Sequence, residues 1–413
     1  MKKHVYIFDE SSRASTYGIG TYIRQMIVCL TDVSELTVHV VHIGADVEHF
    51  EIKEMQGYDL YNIPQYCIPM EGKANFYQRN IYYLIRLNCN YPKSDKFIFM
   101  FNYSNHIFLI NLLKEWLPDS CFYFVIHYQN WCFSLNGNVV HFKQIIHSND
   151  ISTLSSSEQK VYNSFLKEKE LYQVVDRVIC LSRFTFSLLD EEYGISRNKL
   201  ILIYNGLKDE KKILPAEGRK LLKKRYHFSS KEKVILFVGR LDTVKGIEML
   251  IMSSQDLLQR NENCRLVVVG EGDFSYYLAR CGTCWNKITF TGYLSKEQLY
   301  DFYQIADIGV MPSMHEQCSY VAIEMMMFAL PLVVSSTSGL KEMVRDGDFG
   351  YTFDMENDSE KSKNELVDLI TKILEEPWWK REKMKSLSRS SYEEKYLLQD
   401  MQKRYLDLIL SEQ

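Results

Sequence analysis

The chain alternates between short apolar runs and longer helical patterns, and this alternation limits its fold more than any other feature. In the first half the apolar runs cover residues 4–8, 36–43, 97–101, 121–126, 177–181 and 199–204. A continuous apolar run of this length is typical of a strand that is buried on both faces of a parallel sheet. Strands that alternate with helices predict an α/β fold with doubly wound sheets.

The same pattern begins again after the turn signal Asn205-Gly206. New apolar runs cover 234–238, 266–269, 288–290, 308–311 and 332–334, with helical patterns at 296–305 and 320–328. We therefore predict two Rossmann-like domains, residues 1–205 and 206–390, and a C-terminal helix of about 391–413 that packs back on the first domain. A length of 413 residues suits two or three domains of about 150 residues each.

Composition and charge argue against several classes of protein. Forty-nine basic residues against fifty-three acidic ones give a net charge of -4, so we expect no nucleic-acid partner. No stretch of about 18 uncharged apolar residues occurs, so no transmembrane helix is expected. Ten dispersed cysteines, several of them inside apolar runs, indicate reduced thiols and a cytoplasmic protein.

Two features leave room for a peripheral membrane contact. The predicted helix 219–226 carries five basic side chains that would attract anionic lipid, at Arg219, Lys220, Lys223, Lys224 and Arg225. A solvated helix face is the commoner explanation of such a cluster. Trp378-Trp379, beside Lys380 and Arg381, would suit a membrane interface, but packing at a helix start is the interpretation that we favour.

A first candidate site is the segment VGRLDTVKG, residues 238–246. Arg240 stands at the predicted carboxyl end of a strand, where open α/β sheets bind ligands, and Lys245 lies just before a predicted helix. Two fixed cations beside a helix N-terminus would hold a diphosphate. The alternative is a solvated loop with two ordinary surface cations.

A second candidate site is the segment HEQCSYVAIEMM, residues 315–326. Glu316 follows a predicted strand and Glu324 lies on the next helix, so both could face one ligand. Backbone N–H groups near Ser319 and Tyr320 would direct the helix dipole at phosphate. The alternative is two exposed glutamates, but Glu324 is surrounded by apolar residues, and a carboxylate in such a place needs a partner.

The order and spacing of these motifs resemble the donor half of glycosyltransferase family 4. The resemblance rests on VGRLDTVKG, VVGEGD, GYLSKEQLYDFYQIADIGVMPS, the Glu316-x7-Glu324 spacing and the Gly-Leu-Lys-Glu segment at 339–342. VDRVICLSRFTFSLL and IYNG, further upstream, match the same family. Residues 175–355 carry most of the resemblance. It implies the GT-B fold, in which two doubly wound Rossmann-like domains face each other across a cleft.

The resemblance also implies an activity. It predicts a retaining, metal-independent glycosyltransferase that moves a hexose-type sugar from a UDP- or GDP-sugar to a glycan, lipid or peptide, with no further cofactor. Arg240 and Lys245 would neutralise the leaving diphosphate, Glu316 would hold the transferred sugar, and Glu324 would hold the nucleotide ribose.

In the first half the resemblance extends to two further sites. Gly18-Ile19-Gly20 matches the family's loop over donor and acceptor, and a tight βα turn is the rival explanation. His127 stands where the family has a sugar-contacting histidine, but Tyr128 replaces the usual Asp, so a core histidine is the rival.

A second departure from the family lies in the donor half. Cys318 and Ser319 replace the usual aromatic-glycine pair that follows the first glutamate. The sequence of this stretch resembles that of a subgroup of Bacteroidetes enzymes, which are found beside peptide-maturation genes.

Two motifs resemble metal sites, but we predict no metal at either. Asp346-Gly347-Asp348 matches the Asp-x-Asp metal motif of another glycosyltransferase fold, yet it lies in a Gly-rich turn. Cys281 and Cys284 lack a second ligand pair.

The remaining alternatives for function are a sugar-nucleotide epimerase, a phosphorylase-type GT-B enzyme and a non-catalytic nucleotide-sugar-binding partner.

Overall fold

A computed structural model describes residues 2–12, 18–65, 73–92, 94–210, 212–355 and 359–412. The chain divides into two compact units. The first contains Met1–Trp131, Val140–Gly206 and Leu398–Gln413, and the second contains Cys132–Val139 and Leu207–Leu397. The predicted limits were 205 and about 391, whereas the units change after Gly206 and at Leu398.

The first unit is built on an eight-stranded sheet. Its strands are β1 (Lys3–Glu10), β2 (Leu36–Ala45), β3 (Glu51–Met55), β4 (Tyr58–Pro64), β5 (Lys96–Phe101), β6 (Cys121–Ile126), β7 (Arg177–Cys180) and β8 (Leu200–Leu202). Their order is β3-β4-β2-β1-β5-β6-β7-β8, and every pair is parallel except β3 with β4. The helices between them are α1 (Gly18–Leu30), α2 (Ala74–Asn88), α3 (Ile107–Trp116), α4 (Asn130–Ser134), α5 (Val139–Ile146), α6 (Ser156–Val174) and α7 (Arg183–Glu191).

The second unit is built on a six-stranded parallel sheet. Its strands are β9 (Lys233–Val238), β10 (Cys264–Val269), β11 (Ile288–Gly292), β12 (Ile308–Met311), β13 (Leu332–Ser335) and β14 (Gly350–Phe353), in the order β11-β10-β9-β12-β13-β14. Its helices are α8 (Ala216–Arg225), α9 (Ile247–Arg260), α10 (Phe274–Leu278), α11 (Lys296–Ile305), α12 (Tyr320–Met327), α13 (Leu340–Met343), α14 (Ser359–Glu375) and α15 (Trp378–Lys395). Two mainly parallel α/β units are the fold class that the sequence predicted.

Local sequence explains where these elements begin and why they are buried. Ser295 and Gln298 form a capping box that starts α11, and Ser155 and Glu158 do the same for α6. The inner residues of β9 are fully apolar and buried, as expected for a central strand that is covered on both faces.

Four elements differ from the sequence prediction. The pair β3 and β4 was not predicted, because β3 is mostly exposed and lacks an apolar run. β14 was not predicted either, and it is only four residues long. Gly18 and Gly20 lie in the first turn of α1 rather than in a loop before it.

The last helix, α16 (Leu398–Ser411), belongs to the first unit, where it packs on α1. The hydroxyls of Tyr22 and Tyr405 are 2.5 Å apart in this contact, and Gln402 Nε2 donates to the carbonyl of Cys29 at 2.9 Å. Residues 391–395, predicted as part of this helix, instead end α15 in the second unit.

The basic helix α8 turns two of its cations inward. Arg219 forms an ion pair of 2.9 Å with Asp307, and Lys223, which is buried, approaches the same carboxylate at 3.4 Å. Burial raises the pKa of Asp307, but Arg219 and Lys223 outweigh this effect and hold it below its ordinary value. The favoured interpretation of a fully solvated basic face is therefore wrong for these two residues.

The tryptophan pair at the start of α15 also differs from expectation. The side chains of Trp378 and Trp379 are 73% and 62% exposed, so they do not pack at the helix start.

Within the described ranges, none of the helices combines the length and the apolar character needed to cross a bilayer.

Candidate active site

The residues singled out in the second half of the sequence gather at the carboxyl ends of β9 and β12. These strands are neighbours in the sheet although β10 and β11 lie between them in the chain. The chain therefore changes its direction of strand addition between β9 and β12, and open α/β sheets bind ligands at such a switch point. Arg240 and Lys245 follow β9, and Glu316 follows β12.

The loop after β9 is fixed at both of its ends. Asp242 accepts a hydrogen bond from the backbone N–H of Lys245 at 3.1 Å and forms an ion pair of 3.2 Å with Arg240. Gly246 then adopts φ +68°, and a Cβ at this position would lie 1.9 Å from the carbonyl oxygen of Pro312. Only glycine fits there without strain. The loop thus presents Arg240 and Lys245 from a rigid turn.

Lys245 and Glu316 form an ion pair, in which the ammonium donates to Oε1 of the carboxylate. The two side chains are 23% and 15% exposed, so the pair is partly screened from water. Without a ligand, each of these charges is therefore neutralised by the other. If a ligand brings both an anionic group and hydroxyl groups, Lys245 can bind the anion and Glu316 can accept from the hydroxyls in place of their mutual ion pair.

The backbone of Glu316 is held by the segment that follows β13. Ser338 Oγ accepts from the N–H of Glu316 at 3.0 Å and donates to its carbonyl at 2.7 Å, and the N–H of Gly339 donates to the same carbonyl at 2.8 Å. A Cβ on Gly339 would lie 1.7 Å from the carbonyl oxygen of Gln317. Gly339 belongs to a motif that the sequence revealed, whereas no local signal marks Ser338.

Glu324 lies on α12 and is half-buried. Tyr303, on α11, donates to Oε2 at 2.7 Å. Burial raises the pKa of Glu324 to about 7, and the Tyr303 hydroxyl opposes this shift by stabilising the carboxylate. The sequence required a partner for this carboxylate, and Tyr303 is that partner. Glu324 can change protonation near neutral pH.

The helix α12 begins at Tyr320, as predicted. Ser319 is the N-cap residue, its hydroxyl accepts from the N–H of Ala322 at 3.5 Å, and Tyr320 is the first helical residue. The positive end of the helix dipole therefore lies at Ser319 and Tyr320.

The other predicted site residues belong to the first unit. His127 follows β6, and its Nε2 lies 2.9 Å from Oδ1 of Asn102, which follows β5. Asn102 Nδ2 donates to the carbonyl of Phe8, so its oxygen faces the histidine and Nε2 must donate to it. Burial lowers the pKa of His127 to about 3, which keeps the ring neutral. Gly18 and Gly20 lie after β1 in the same unit.

The motifs that resemble metal sites have internal partners. The Asp346 carboxylate accepts from the N–H and the hydroxyl of Thr352 at 2.6 and 2.9 Å, which closes a turn before β14. Cys281 and Cys284 are buried in the core of the second unit. Over the part of the chain that the structure describes, no three His, Cys, Asp or Glu residues are grouped so as to hold a metal ion.

Sequence relatives cover the half of the chain that carries this geometry. Residues 218–393 match the family of glycosyl transferases group 1. The match contains β9, the loop with Arg240 and Lys245, and both glutamates. The glycosyltransferase resemblance is confirmed for this stretch. The narrower assignment to family 4 and the Bacteroidetes subgroup stay predictions.

A relative and two solved structures extend the comparison. An uncharacterized glycosyltransferase of Methanocaldococcus jannaschii is 33% identical over 241 residues, which are 54% of this chain and only 60% of that protein's length. Sucrose-phosphate synthase from Thermosynechococcus elongatus aligns with a TM-score of 0.73 at 18% identity, over 99% of this chain and 98% of that one. Anabaena HepE, in complex with UDP and glucose, aligns with a TM-score of 0.70 at 15% identity, over 98% of this chain and 99% of that one. The structural likeness confirms the fold class.

Proposed function

We propose that the protein is a retaining glycosyltransferase that moves a hexose-type sugar from a nucleotide diphosphate sugar to an acceptor. The observation that most supports this function is the ion pair of Lys245 and Glu316 at the switch point of the second sheet. A diphosphate needs a cation and a sugar needs a hydrogen-bond acceptor, and here the two stand side by side.

Donor binding would exchange the partners of this pair. The diphosphate takes the place of Glu316 beside Lys245 and is also approached by Arg240. The released carboxylate of Glu316 then accepts hydrogen bonds from hydroxyls of the sugar. Negative charge grows on the diphosphate as the glycosidic bond breaks, and fixed cations stabilise that charge more than they stabilise the intact donor.

Glu324 would hold the ribose. An ionised carboxylate accepts hydrogen bonds from both ribose hydroxyls, whereas a protonated one has lost part of this capacity. Tyr303 keeps one oxygen of Glu324 oriented at 2.7 Å. The start of α12, at Ser319 and Tyr320, would add its dipole to the phosphate contact.

For the transfer step we propose attack from the face that the diphosphate leaves, with the leaving phosphate helping to deprotonate the acceptor. With the donor bound, the carboxylate of Glu316 would be occupied by sugar hydroxyls, and that of Glu324 by the ribose and by Tyr303. Neither is a ready nucleophile. In the first unit, neutral His127 would contact the transferred sugar, and Gly18 and Gly20 would allow close backbone approach to donor or acceptor.

Catalysis would proceed without a metal ion, because Arg240 and Lys245 supply the charge that a divalent cation would otherwise supply. Turnover should persist in EDTA. Complete loss of activity in EDTA, restored by Mg²⁺ or Mn²⁺, would contradict this part of the proposal.

UDP-sugars are the first donors to test, because HepE was solved with UDP and glucose, and GDP-sugars are the second. The acceptor would be a glycan, a lipid or a peptide. We place the reaction in the cytoplasm, since the nine cysteines that the structure describes are all free thiols.

One assay separates this function from its alternatives. Nucleoside diphosphate release from each sugar donor is measured with and without candidate acceptors. A transferase releases it faster with acceptor. An epimerase changes the sugar without any release, and a non-catalytic binding protein is stabilised by the donor without turnover; either result would overturn the proposal.

A further inference from the structure

A second cavity of the second unit lies at the opposite edge of its sheet. The cavity has a volume of about 610 Å³ and contains Lys233, the first residue of β9, and Asp307 and Pro331, which precede β12 and β13. The candidate active site lies beyond the last residue of β9. Five rises of about 3.3 Å along this strand separate the two edges by roughly 17 Å. The cavity is therefore distinct from the proposed donor site.

The cavity has a strong excess of positive charge. Eight of its lining side chains are Lys or Arg and three are Asp or Glu. The three acids already have cationic partners. Asp307 pairs with Arg219 and Lys223, as described above, while Glu232 pairs with Arg265 at 2.7 Å and Glu382 pairs with Lys385 at 2.7 Å.

Two cations of the cavity are left without an acidic partner among the described residues. Within the described ranges, Lys233 makes neither a side-chain hydrogen bond nor an ion pair, although it is half-buried. The side chain of Arg381 donates, in the part of the chain that the structure describes, only to the carbonyl of Leu374, at 3.3 Å. A half-buried ammonium without an ion-pair partner is unusual, because its desolvation is offset only in part.

The surroundings of Lys233 work against its charge. Burial lowers its pKa; Asp307 opposes this shift, while Arg381, Arg219 and Lys385 lower the pKa further by repulsion. In addition, the Nε–H of Arg219 is buried and has no hydrogen-bond partner within the described part of the chain. Cations that repel one another and a donor without an acceptor together indicate an anion-binding site.

We propose that this cavity binds the phosphate group of a ligand through Lys233, Arg381 and Arg219. A phosphate offers three strong acceptor oxygens and up to two negative charges, and guanidinium and ammonium groups are its usual partners in proteins. The site would be occupied independently of the donor.

The rim of the cavity indicates two sources for such a group. One is a soluble phosphorylated compound. The other is a phospholipid headgroup, since exposed Trp378 belongs to the lining and Trp379 is its neighbour. Tryptophan is enriched at the depth of lipid headgroups. Both sources present the same phosphate to the same cations.

The first arm of the test uses inorganic phosphate and the full chain. Thermal unfolding is followed at increasing phosphate for the wild type, Lys233→Met and Lys96→Met. Lys96 is a matched control because it also begins a parallel strand, is half-buried and, among the described residues, forms no side-chain hydrogen bond or ion pair, but lies in the first unit. Phosphate stabilises many proteins through exclusion from their surface, so the difference between variants is the readout.

We expect wild type and Lys96→Met to gain the same stabilisation. Lys233→Met should bind phosphate about tenfold more weakly, because one charge-assisted contact is lost. Its melting temperature without phosphate should equal or exceed that of the wild type, since repulsion is relieved. Arg381→Gln provides a second variant with the same expected loss of binding.

The second arm uses vesicles of phosphatidylcholine with and without phosphatidic acid. Binding that requires phosphatidic acid and is lost in both Lys233→Met and Trp378→Ser identifies a headgroup as the source. Phosphate protection without vesicle binding identifies a soluble ligand. An unchanged response of Lys233→Met and Arg381→Gln in both arms overturns the proposal.

A control on the other edge of the sheet keeps this proposal separate from the proposed function. Arg240→Gln should keep the part of the phosphate response that Lys233→Met loses, whatever it loses at the donor site. If it lost the response while Lys233→Met kept it, phosphate would bind at the donor site and the second site would not exist.

Discussion

Lys245 and Glu316, 71 residues apart in the chain, hold each other in an ion pair across the carboxyl ends of two neighbouring strands. The pair is partly shielded from water, so the loss of one member leaves a charge that is poorly solvated. We expect a double-mutant cycle of Lys245→Met and Glu316→Gln to give a coupling of roughly 1–3 kcal/mol in the free energy of unfolding.

Urea denaturation of the two single variants and the double variant measures this coupling. Arg345 and Asp348 form a matched control pair, since they are separated by 3.8 Å and are much more exposed. An exposed pair of this kind should show little coupling. Equal coupling in the two pairs would contradict the shielded character of the Lys245–Glu316 pair.

The cations of the candidate site should act mainly on turnover. Lys245→Ala and Arg240→Ala are expected to lower the rate at saturating donor by about 30-fold to several hundred-fold, because each removes a charge-assisted contact that strengthens as the bond breaks. Saturated turnover, beside calorimetric binding of UDP, measures the effect. Arg260→Ala, on the exposed far end of α9, is the control. Near-normal turnover in both site variants would remove the donor site from this loop.

Glu316 and Glu324 should affect different parts of the donor. Glu316→Ala should spare binding of free UDP and impair sugar transfer, since its proposed contact is with the sugar. Glu324→Ala should weaken UDP itself, because a ribose contact is made equally in the bound donor and in the transition state. Calorimetry and turnover on the same two variants test this, and the opposite pattern would reverse the two roles.

Nucleotide affinity should depend on pH through Glu324. Its pKa is raised to about 7, so the carboxylate form that accepts from ribose is depleted below pH 7. We expect UDP affinity to rise as pH increases from 6 to 8 and then to level off, with protons released on binding near pH 7. Calorimetry in buffers of different ionisation enthalpy detects this release. Glu324→Gln should abolish it, and Tyr303→Phe should move the midpoint to higher pH.

His127 should contribute no ionisation to the pH dependence of the reaction. Its pKa is lowered to about 3 by burial, so it is already neutral throughout the working range. We expect His127→Gln to lower sugar transfer, to leave UDP binding unchanged and to keep the acidic limb of the kcat/KM profile. Disappearance of that limb in His127→Gln would mean that the histidine, rather than Glu324, titrates near neutral pH.

Gly246, in the loop after β9, should tolerate substitution poorly. Gly246→Ala combines a left-handed backbone with a collision at the Pro312 carbonyl, so we expect a loss of at least about 3 kcal/mol in unfolding free energy. Gly292 is a matched control, with φ +69° and open space around it. Gly292→Ala should cost only about 1–2 kcal/mol. Equal losses by urea denaturation would show that the backbone angle alone matters.

Periodicity was sufficient for most of the strands but not for every element. Buried parallel strands such as β9 and β12 are continuous apolar runs, so local sequence identifies them. The β3–β4 pair has no such run, because β3 is mostly exposed, and Gly18 and Gly20 entered a helix despite their low helix propensity. Tertiary contacts decided these segments.

The candidate site was predicted as a set of residues but not as a set of contacts. The motifs provided Lys245, Glu316 and Glu324, yet no spacing rule pairs residues that lie 71 positions apart. A partner for Glu324 was required, but its identity as Tyr303 depends on how α11 and α12 pack. The inward turn of Arg219 was hidden for the same reason, since its partner Asp307 lies on a distant loop.

The docking of α16 on α1 determines the order in which the chain can complete its first unit during synthesis. Lys3, in the first strand, donates to carbonyls of Ile409, Leu410 and Glu412 at the end of the chain. The ribosome must therefore make all of Leu207–Leu397 before the surface of α1 around Tyr22 is covered. The second unit, by contrast, has all of its segments as soon as Leu397 has emerged. Of the two units, the one that contains the earlier strands is thus the last to be completed, and the position of α16 on α1 stays unfilled until then.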